Sequence, residues 1–293
     1  MSTKLFRPLP GMENTHVEAP PNDTAKIVYS VQGEPKTGKS TYPFFGPGPQ
    51  LVLDIDDRLD GVVNKWLRGE FDGHPAKRID RLPLTLPKVD LKSRQPDESV
   101  RRLASTEWEK FLDTFRKAGK SSRLAGGVRV LSIDNATGIA NLRLMAEFGR
   151  LSMIPPEARG QANVEMGALM RESRTFQCSV VWIHELKDAY ELVQSVDEKT
   201  GRTVKKRENS GERILAGYKN THYCVDVMLR TLWDGRKRQF GVEVLWSGLE
   251  PKTNGKTYWE DEWDEMGPFA YISSLQRPRT SPFDWRDEMV EED

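Results

Sequence analysis

Short apolar runs alternate with longer amphipathic segments over the first two thirds of the chain. The apolar runs are rich in β-branched and aliphatic residues and predict four buried strands, at residues 25–32, 51–56, 128–134 and 178–185. One-sided spacing of apolar residues predicts helices that begin near residues 106, 136 and 162. Strands that alternate with helices favour an α/β fold with a mostly parallel sheet flanked by helices.

The pattern changes in the C-terminal third, where turn residues separate runs suited to antiparallel strands. Segments 189–196 and 202–207 flank a turn at 197–201. Asp234-Gly235-Arg236-Lys237 lies in the same way between segments 225–233 and 240–246. Both arrangements predict antiparallel hairpins in this part of the fold.

Proline and acidic residues indicate how the chain is divided. Residues 1–23 are polar and proline-rich, which predicts an extended arm. One α/β domain is expected over residues 24–248, with an irregular, proline-containing insertion at 68–100. Residues 249–293 are expected to form a C-terminal extension that ends in an acidic tail.

Composition excludes few function classes but limits the setting. The 44 basic and 44 acidic residues cancel, so net charge does not favour nucleic acid, and any such site must be a local basic patch. Cys178 and Cys224 lie in apolar runs without metal-ligand spacing, so we expect buried free thiols. The chain has no apolar run of about 18 residues and no secretory leader pattern, so we expect a cytoplasmic protein without a membrane span.

A glycine-rich segment directly after the first predicted strand carries the clearest chemistry. It fits G-x-x-x-x-G-K-[ST], the phosphate-binding P-loop, in which backbone N–H groups surround the phosphates. Lys39 adds a positive charge there, and the Ser40 hydroxyl can hold Mg²⁺. The alternative is a plain glycine-rich turn. The predicted nucleotide-binding residues are Gly33, Glu34, Pro35, Lys36, Thr37, Gly38, Lys39, Ser40 and Thr41.

The third predicted strand ends in an acid. Asp134 follows the apolar run and fits a Walker B acid, whose carboxylate holds Mg²⁺ directly or through water. Asn135 comes next, where many motors place an acidic base. The alternative role for Asp134 is a helix N-cap, since Asp-Asn before an Ala-rich segment caps well.

Two further strand ends supply candidate catalytic groups. Asp56 follows the second strand and is the best candidate to activate a water in line with the γ-phosphate, the alternative being a solvated acidic turn. Asp54 lies on the other side of Ile55 and is a weaker candidate. His184 ends the fourth strand and could hydrogen-bond the γ-phosphate or the attacking water, or it could be a strand-end His with no such role.

Together these motifs resemble the RecA-like recombinase ATPases, most closely the phage branch of nucleotide-binding and single-strand annealing proteins. The segment Leu53 to Asp60 is similar to the family's D-x-E segment, with Asp56 in the position of the catalytic Glu. Asp134 stands where the family has its Walker B acid, and His184 stands at the end of the sensor strand. Asp56 is one methylene shorter than Glu, which implies slow turnover or a closer water.

The resemblance implies an ATPase that uses ATP and Mg²⁺ to bind single-stranded DNA in strand annealing or exchange. It also implies a homo-oligomer, a ring or a filament, with nucleotide at the subunit interface, and a single-strand-binding protein as a further partner. The predicted DNA-binding cluster is Lys205-Lys206-Arg207, which could neutralise several phosphates or simply form a solvated hairpin face. Other basic candidates for a residue that reaches the neighbouring nucleotide are Arg230, Arg236, Lys237 and Arg238.

Three other functions stay open at this point. A nucleotide or small-molecule kinase would share the P-loop but lacks an evident arginine-rich lid here. A DNA-packaging or helicase motor would normally carry an acid where Asn135 stands. A P-loop assembly protein with little hydrolysis is compatible with Asp56 in place of Glu.

Overall fold

The computed structural model describes residues 26–55, 59–68, 78–89, 95–120, 127–196, 203–216, 221–263 and 267–276. The predicted N-terminal arm and residues 277–293 of the predicted tail lie outside these ranges, as does Asp56. The strands in chain order are β1 Val28–Gly33, β2 Gln50–Ile55, β3 Ile79–Leu84, β4 Val130–Asp134, β5 Ser179–His184, β6 Leu186–Val196, β7 Thr203–Leu215, β8 Val227–Asp234, β9 Gln239–Ser247 and β10 Thr257–Trp259. The α-helices are α1 Asp60–Leu67, α2 Glu98–Lys120, α3 Ala136–Phe148, α4 Pro156–Ser173 and α5 Gly267–Leu275.

Eight of these strands form one sheet in the order β10-β9-β8-β1-β5-β4-β2-β3. The six strands from β8 to β3 in that order all run parallel, and β9 and β10 extend the sheet antiparallel beyond β8. Strands β6 and β7 pair only with each other, as a separate two-stranded sheet. The predicted α/β fold is confirmed, and so are both hairpins.

The sheet is buried on both faces, as expected for strands that read as continuous apolar runs. One face packs against α2, α3 and α4 through a cluster that includes Phe111, Ile139, Met166 and Trp182. The other face packs against α5 and includes Tyr29, Ile183 and Phe269 among its members. Cys178 and Cys224 are buried and free, as predicted. No helix in the described ranges is long and apolar enough to cross a bilayer.

Two helix starts differ from the prediction for capping reasons. Helix α2 begins at Glu98 rather than near 106, because the Asp97 carboxylate accepts hydrogen bonds from the backbone N–H groups of Ser99 and Val100, at 2.9 and 3.3 Å. Helix α4 begins at Pro156 rather than near 162. Proline suits a first helical position, because the N–H that it lacks would have no intrahelical partner there.

Two segments predicted to be irregular are ordered. Strand β3 lies within the predicted insertion at 68–100 and pairs parallel with β2 at the sheet edge. Pro83 is compatible with an edge strand, since an edge strand needs hydrogen bonds on one side only. Helix α5 lies within the predicted C-terminal extension and buries Phe269 and Ile272 against the sheet.

Candidate functional site

The candidate site lies at the carboxyl edge of the central strands, where parallel sheets place their ligands. The P-loop leaves β1 at this edge, beside the ends of β5 and β4, which are the next two strands in the sheet. Asp54 on β2 is in register with Asp134 on β4. The fold therefore brings Lys39, Ser40, Asp54, Asp134 and the end of β5 to one edge.

Two glycines allow the P-loop its path. A Cβ on Gly33 would overlap the hydroxyl oxygens of Thr231 and Thr37, which hydrogen-bond to each other at 2.8 Å. Gly38 has φ +84°, in the left-handed region, and Lys36 joins it there with φ 67°. Left-handed residues in such a loop turn successive N–H groups toward a common concavity that suits an anion.

The segment after the P-loop is shorter than a normal helix. The N–H groups of Thr41 and Tyr42 donate to the Gly38 carbonyl oxygen at 3.0 and 2.9 Å, and a single 3₁₀ turn follows at Tyr42–Phe45. Because one turn sums few peptide dipoles, the helix dipole contributes less to phosphate binding here than the loop N–H groups and Lys39.

Asp134 is the acid that the fold places beside the P-loop. The Ser40 hydroxyl lies beside its carboxylate and acts to lower its pKa, while the Oδ2 atom is buried and has no hydrogen-bond partner among the described residues. Burial raises the pKa of Asp134 to about 6, and the Asp54 and Glu185 charges act in the same direction. Lys39 opposes the shift through its positive charge. The helix cap suggested as an alternative is made by Asn135, whose Oδ1 accepts from the Gly138 N–H at 2.6 Å.

These residues fit a Mg²⁺ ion that is shared with phosphates. A buried carboxylate oxygen without a hydrogen-bond partner, next to a serine hydroxyl, supplies two hard oxygen ligands. Among the described residues, no group of three or more His, Cys, Asp or Glu side chains could hold a metal by itself. Mg²⁺ commonly takes one or two protein oxygens and completes its shell with water and substrate phosphates, so the small ligand set suits it.

Asp54 is held in a structural network. Its Oδ2 accepts from the Leu59 N–H and from Arg81 Nη1, both at 3.0 Å. Arg81 also pairs with Asp60 at 2.8 Å. The Asp54 carboxylate is therefore engaged by neighbouring residues. This agrees with the sequence analysis, in which Asp54 is a weaker candidate than Asp56 for the catalytic base. The role of Asp56 stays a prediction, because that residue lies outside the described ranges.

His184 is buried at the end of β5, opposite Gln32 on β1. Strand side chains alternate between faces, so His184 shares the face of Trp182, whereas Asp134 follows Ile133 and lies on the opposite face. Neither imidazole nitrogen has a hydrogen-bond partner among the described residues, and burial lowers the pKa of His184 to about 4. Its predicted contact with phosphate or water stays a prediction.

The predicted DNA-binding cluster Lys205-Lys206-Arg207 lies in the β6–β7 hairpin, in register with residues 192–194. At the base of that hairpin, Arg213 ion-pairs with Asp188 at 3.1 Å and with the P-loop residue Glu34 at 3.3 Å. The hairpin and the P-loop are therefore in direct contact through Arg213.

A cleft of about 910 Å³ adjoins the P-loop on the side of β8. Trp233 and Phe240 line it and pack against each other, with ring centroids 4.6 Å apart. Sequence analysis missed this pair. The available signal was their position on either side of the Asp234–Lys237 turn, which makes them cross-strand partners in the β8–β9 hairpin. The other residues that line the cleft are Glu34, Pro35, Lys36, Thr37, Leu186, Arg213, Arg230, Thr231 and Leu232.

Comparisons of this chain with known proteins by sequence and by structure give different results. No protein-family model matches it, and no curated protein matches it. Among solved structures it is similar to a RadB recombinase, with a TM-score of 0.41 and 12% sequence identity over 83% of this chain and 90% of that chain. The roles of the site residues therefore have to be assigned from the geometry of this chain.

Proposed function

We propose that this chain is a Mg²⁺-dependent, RecA-like ATPase that binds single-stranded DNA in phage-type recombination or strand annealing. The observation that carries the proposal is the contact between Ser40 of the P-loop and the buried Asp134 at the end of β4. A P-loop without this partner would only bind an anion. With it, the chain has a place for the cation that accompanies a nucleoside triphosphate.

The chain's own residues have separate tasks in this proposal. The N–H groups of the Gly33–Ser40 loop and the Lys39 ammonium bind and orient the phosphates. Ser40 and Asp134 hold Mg²⁺, which when bound neutralises charge on the β- and γ-phosphate oxygens. Asp56 is proposed to orient and deprotonate the attacking water. His184 is proposed to respond to the γ-phosphate at the start of the chain segment that leads into the β6–β7 hairpin.

The hairpin is the proposed contact with single-stranded DNA. It projects as its own two-stranded sheet and carries Lys205-Lys206-Arg207 in β7. The Arg213–Glu34 ion pair joins its base to the P-loop, which provides a physical link between phosphate binding and the hairpin. We further propose that the protein assembles into a ring or filament with nucleotide at the subunit boundary.

The test is ATP hydrolysis measured with and without single-stranded DNA, together with particle size in solution. We expect Mg²⁺-dependent hydrolysis that DNA stimulates, and larger particles when both ligands are present. Asp56→Asn should keep ATP binding and lower turnover by about a hundredfold or more, the usual range for a lost general base. Transfer of phosphate to a small molecule, without an effect of DNA, would instead identify a kinase.

A further inference from the structure

An exposed aromatic pair lies directly beside the P-loop. Trp233 and Phe240 expose 44% and 38% of their surface, whereas most other large aromatic side chains in the described ranges are buried or half-buried. Phe240 packs against the loop itself, since a Cβ on Gly38 would lie 3.2 Å from the Phe240 ring. Exposed aromatic surface in a cleft marks a ligand site more often than it marks a solvated surface.

The pair is on the P-loop side of the sheet. Along β8, Leu229 belongs to the cluster that covers this face, and Thr231 and Trp233 follow it at intervals of two residues. Thr231 hydrogen-bonds to Thr37 of the P-loop. The aromatic rings and the phosphate-binding loop therefore line one continuous cleft, with P-loop residues at one end and Trp233 at the other.

Away from the P-loop and its Lys36, the charges in the cleft suit a neutral ring better than a polyanion. Both arginines that line it already have carboxylate partners, Arg213 with Glu34 and Asp188, and Arg230 with Glu243 at 3.4 Å. Paired guanidinium groups offer little net attraction to the phosphates of a strand of nucleic acid, which normally tracks an excess of positive charge. Apolar and aromatic surface remains as the main feature for a ligand to contact.

We propose that Trp233, supported by Phe240, is the stacking platform for the base of the nucleotide whose phosphates the P-loop holds. This proposal rests on the proposed function, because it assigns a second part of the same ligand. Stacking on an aromatic face is available to every base, because every base has a π-face. The site should therefore favour purines by contact area and discriminate weakly between adenine and guanine.

The test compares ligands that do and do not carry a base. Mg²⁺-ATP, Mg²⁺-tripolyphosphate and an oligothymidylate strand are titrated against the full chain and its variants. We expect Trp233→Ala to weaken ATP binding by about tenfold, in the range known for lost base stacking, and to leave tripolyphosphate binding unchanged. Trp233→Phe should keep most of the affinity. Trp233→Leu keeps apolar packing in the hairpin without the wide ring face and should behave like Trp233→Ala.

Tyr223→Ala is the matched control, since Tyr223 is an exposed aromatic residue, 71% accessible, that does not line the cleft. Equal ATP affinity in Trp233→Ala, Trp233→Leu and the wild type would overturn the platform. A loss of affinity confined to the oligothymidylate would also overturn the platform, and would indicate that the rings bind nucleic acid. Failure of the proposed function looks different, because Lys39→Ala would then leave both ATP and tripolyphosphate binding unchanged.

Discussion

Burial shifts the pKa values of the two titratable side chains that end β4 and β5 in opposite directions. It raises the pKa of Asp134 to about 6 and lowers the pKa of His184 to about 4. The protein thus keeps both side chains closer to neutrality than water would. This opposition leads to two predictions about the free energy of unfolding in the absence of nucleotide and metal.

The first concerns His184→Gln. The folded-state pKa of His184 lies below its ordinary value of 6.5, so the unfolded chain binds the extra proton as the pH falls from 6.5 to 4. The contribution of this residue to stability is present above pH 6.5 and is lost below it. The free energy of unfolding should fall by about 2 kcal/mol between pH 7 and pH 5 for this reason. Urea unfolding at both pH values should show that His184→Gln lacks this loss. The same pH dependence in both proteins would contradict the prediction.

The second prediction concerns Asp134→Asn, for which the pH dependence of stability has the opposite sign. The folded-state pKa of Asp134 lies above its ordinary value of 3.8, so its contribution to stability is present below pH 3.8 and is lost as the pH rises through 6. Relative to the wild type, Asp134→Asn should gain about 3 kcal/mol between pH 4 and pH 7. Mg²⁺-ATP should then stabilise the wild type but not the variant. A difference between the two proteins that does not vary with pH would refute this.

For single residues, the local sequence was enough to predict a role where that role depends on neighbours in the chain. The P-loop residues from Gly33 to Ser40 are contiguous, so their sequence pattern is enough to predict the shape of the loop. Trp233 and Phe240 could not be assigned in the same way, because Phe240 lies against Gly38, about 200 positions away in sequence, and Trp233 packs against Phe240. The Asp134–Ser40 contact was predictable only through the rule that parallel strands end at one edge.

Among the elements, the β6–β7 hairpin has the least support from the rest of the fold. Its strands pair with each other and not with the main sheet, and the described contact with the P-loop is the Arg213–Glu34 ion pair. This ion pair links the hairpin to the candidate site.

Charge reversal on this hairpin tests its role. Changing Lys205, Lys206 and Arg207 to Glu should weaken binding of single-stranded DNA and reduce the slope of log affinity against log salt by about 2, since each neutralised phosphate contributes about 0.7. Arg101→Glu with Arg102→Glu, on the exposed face of α2, is the matched control. If the hairpin variant binds DNA with the wild-type affinity and salt slope, the cluster is only a solvated face.

Element prediction succeeded where apolar runs were long and failed at the edges. Strands β1, β2, β4 and β5 were found within a few residues, because both of their faces are buried and their sequences are continuously apolar. Strand β3 was missed because Asp80, Arg81 and Pro83 interrupt its apolar residues, and only Ile79 and Leu84 are buried. Helix α5 was missed because a short helix of nine residues follows a polar segment and precedes an acidic one.

For the whole molecule, the alternation of strands and helices predicted the fold class but not the strand order. The insertion of β5 between β1 and β4 depends on the pairing of β5 with β1, which lies about 150 positions away in sequence. That order places His184 between the P-loop strand and the Asp134 strand. The zero net charge of the chain means that attraction to nucleic acid must arise from local patches rather than from the molecule as a whole.

The central claim is that the Gly33–Ser40 loop binds the phosphates of a Mg²⁺-nucleotide through its N–H groups and Lys39. Calorimetric titration of Mg²⁺-ATP into the wild type and Lys39→Ala tests it most directly, with thermal unfolding of both proteins as the check on folding. We expect saturable, Mg²⁺-dependent binding to the wild type and no measurable binding to a folded Lys39→Ala. Equal affinity in the two proteins would contradict the account.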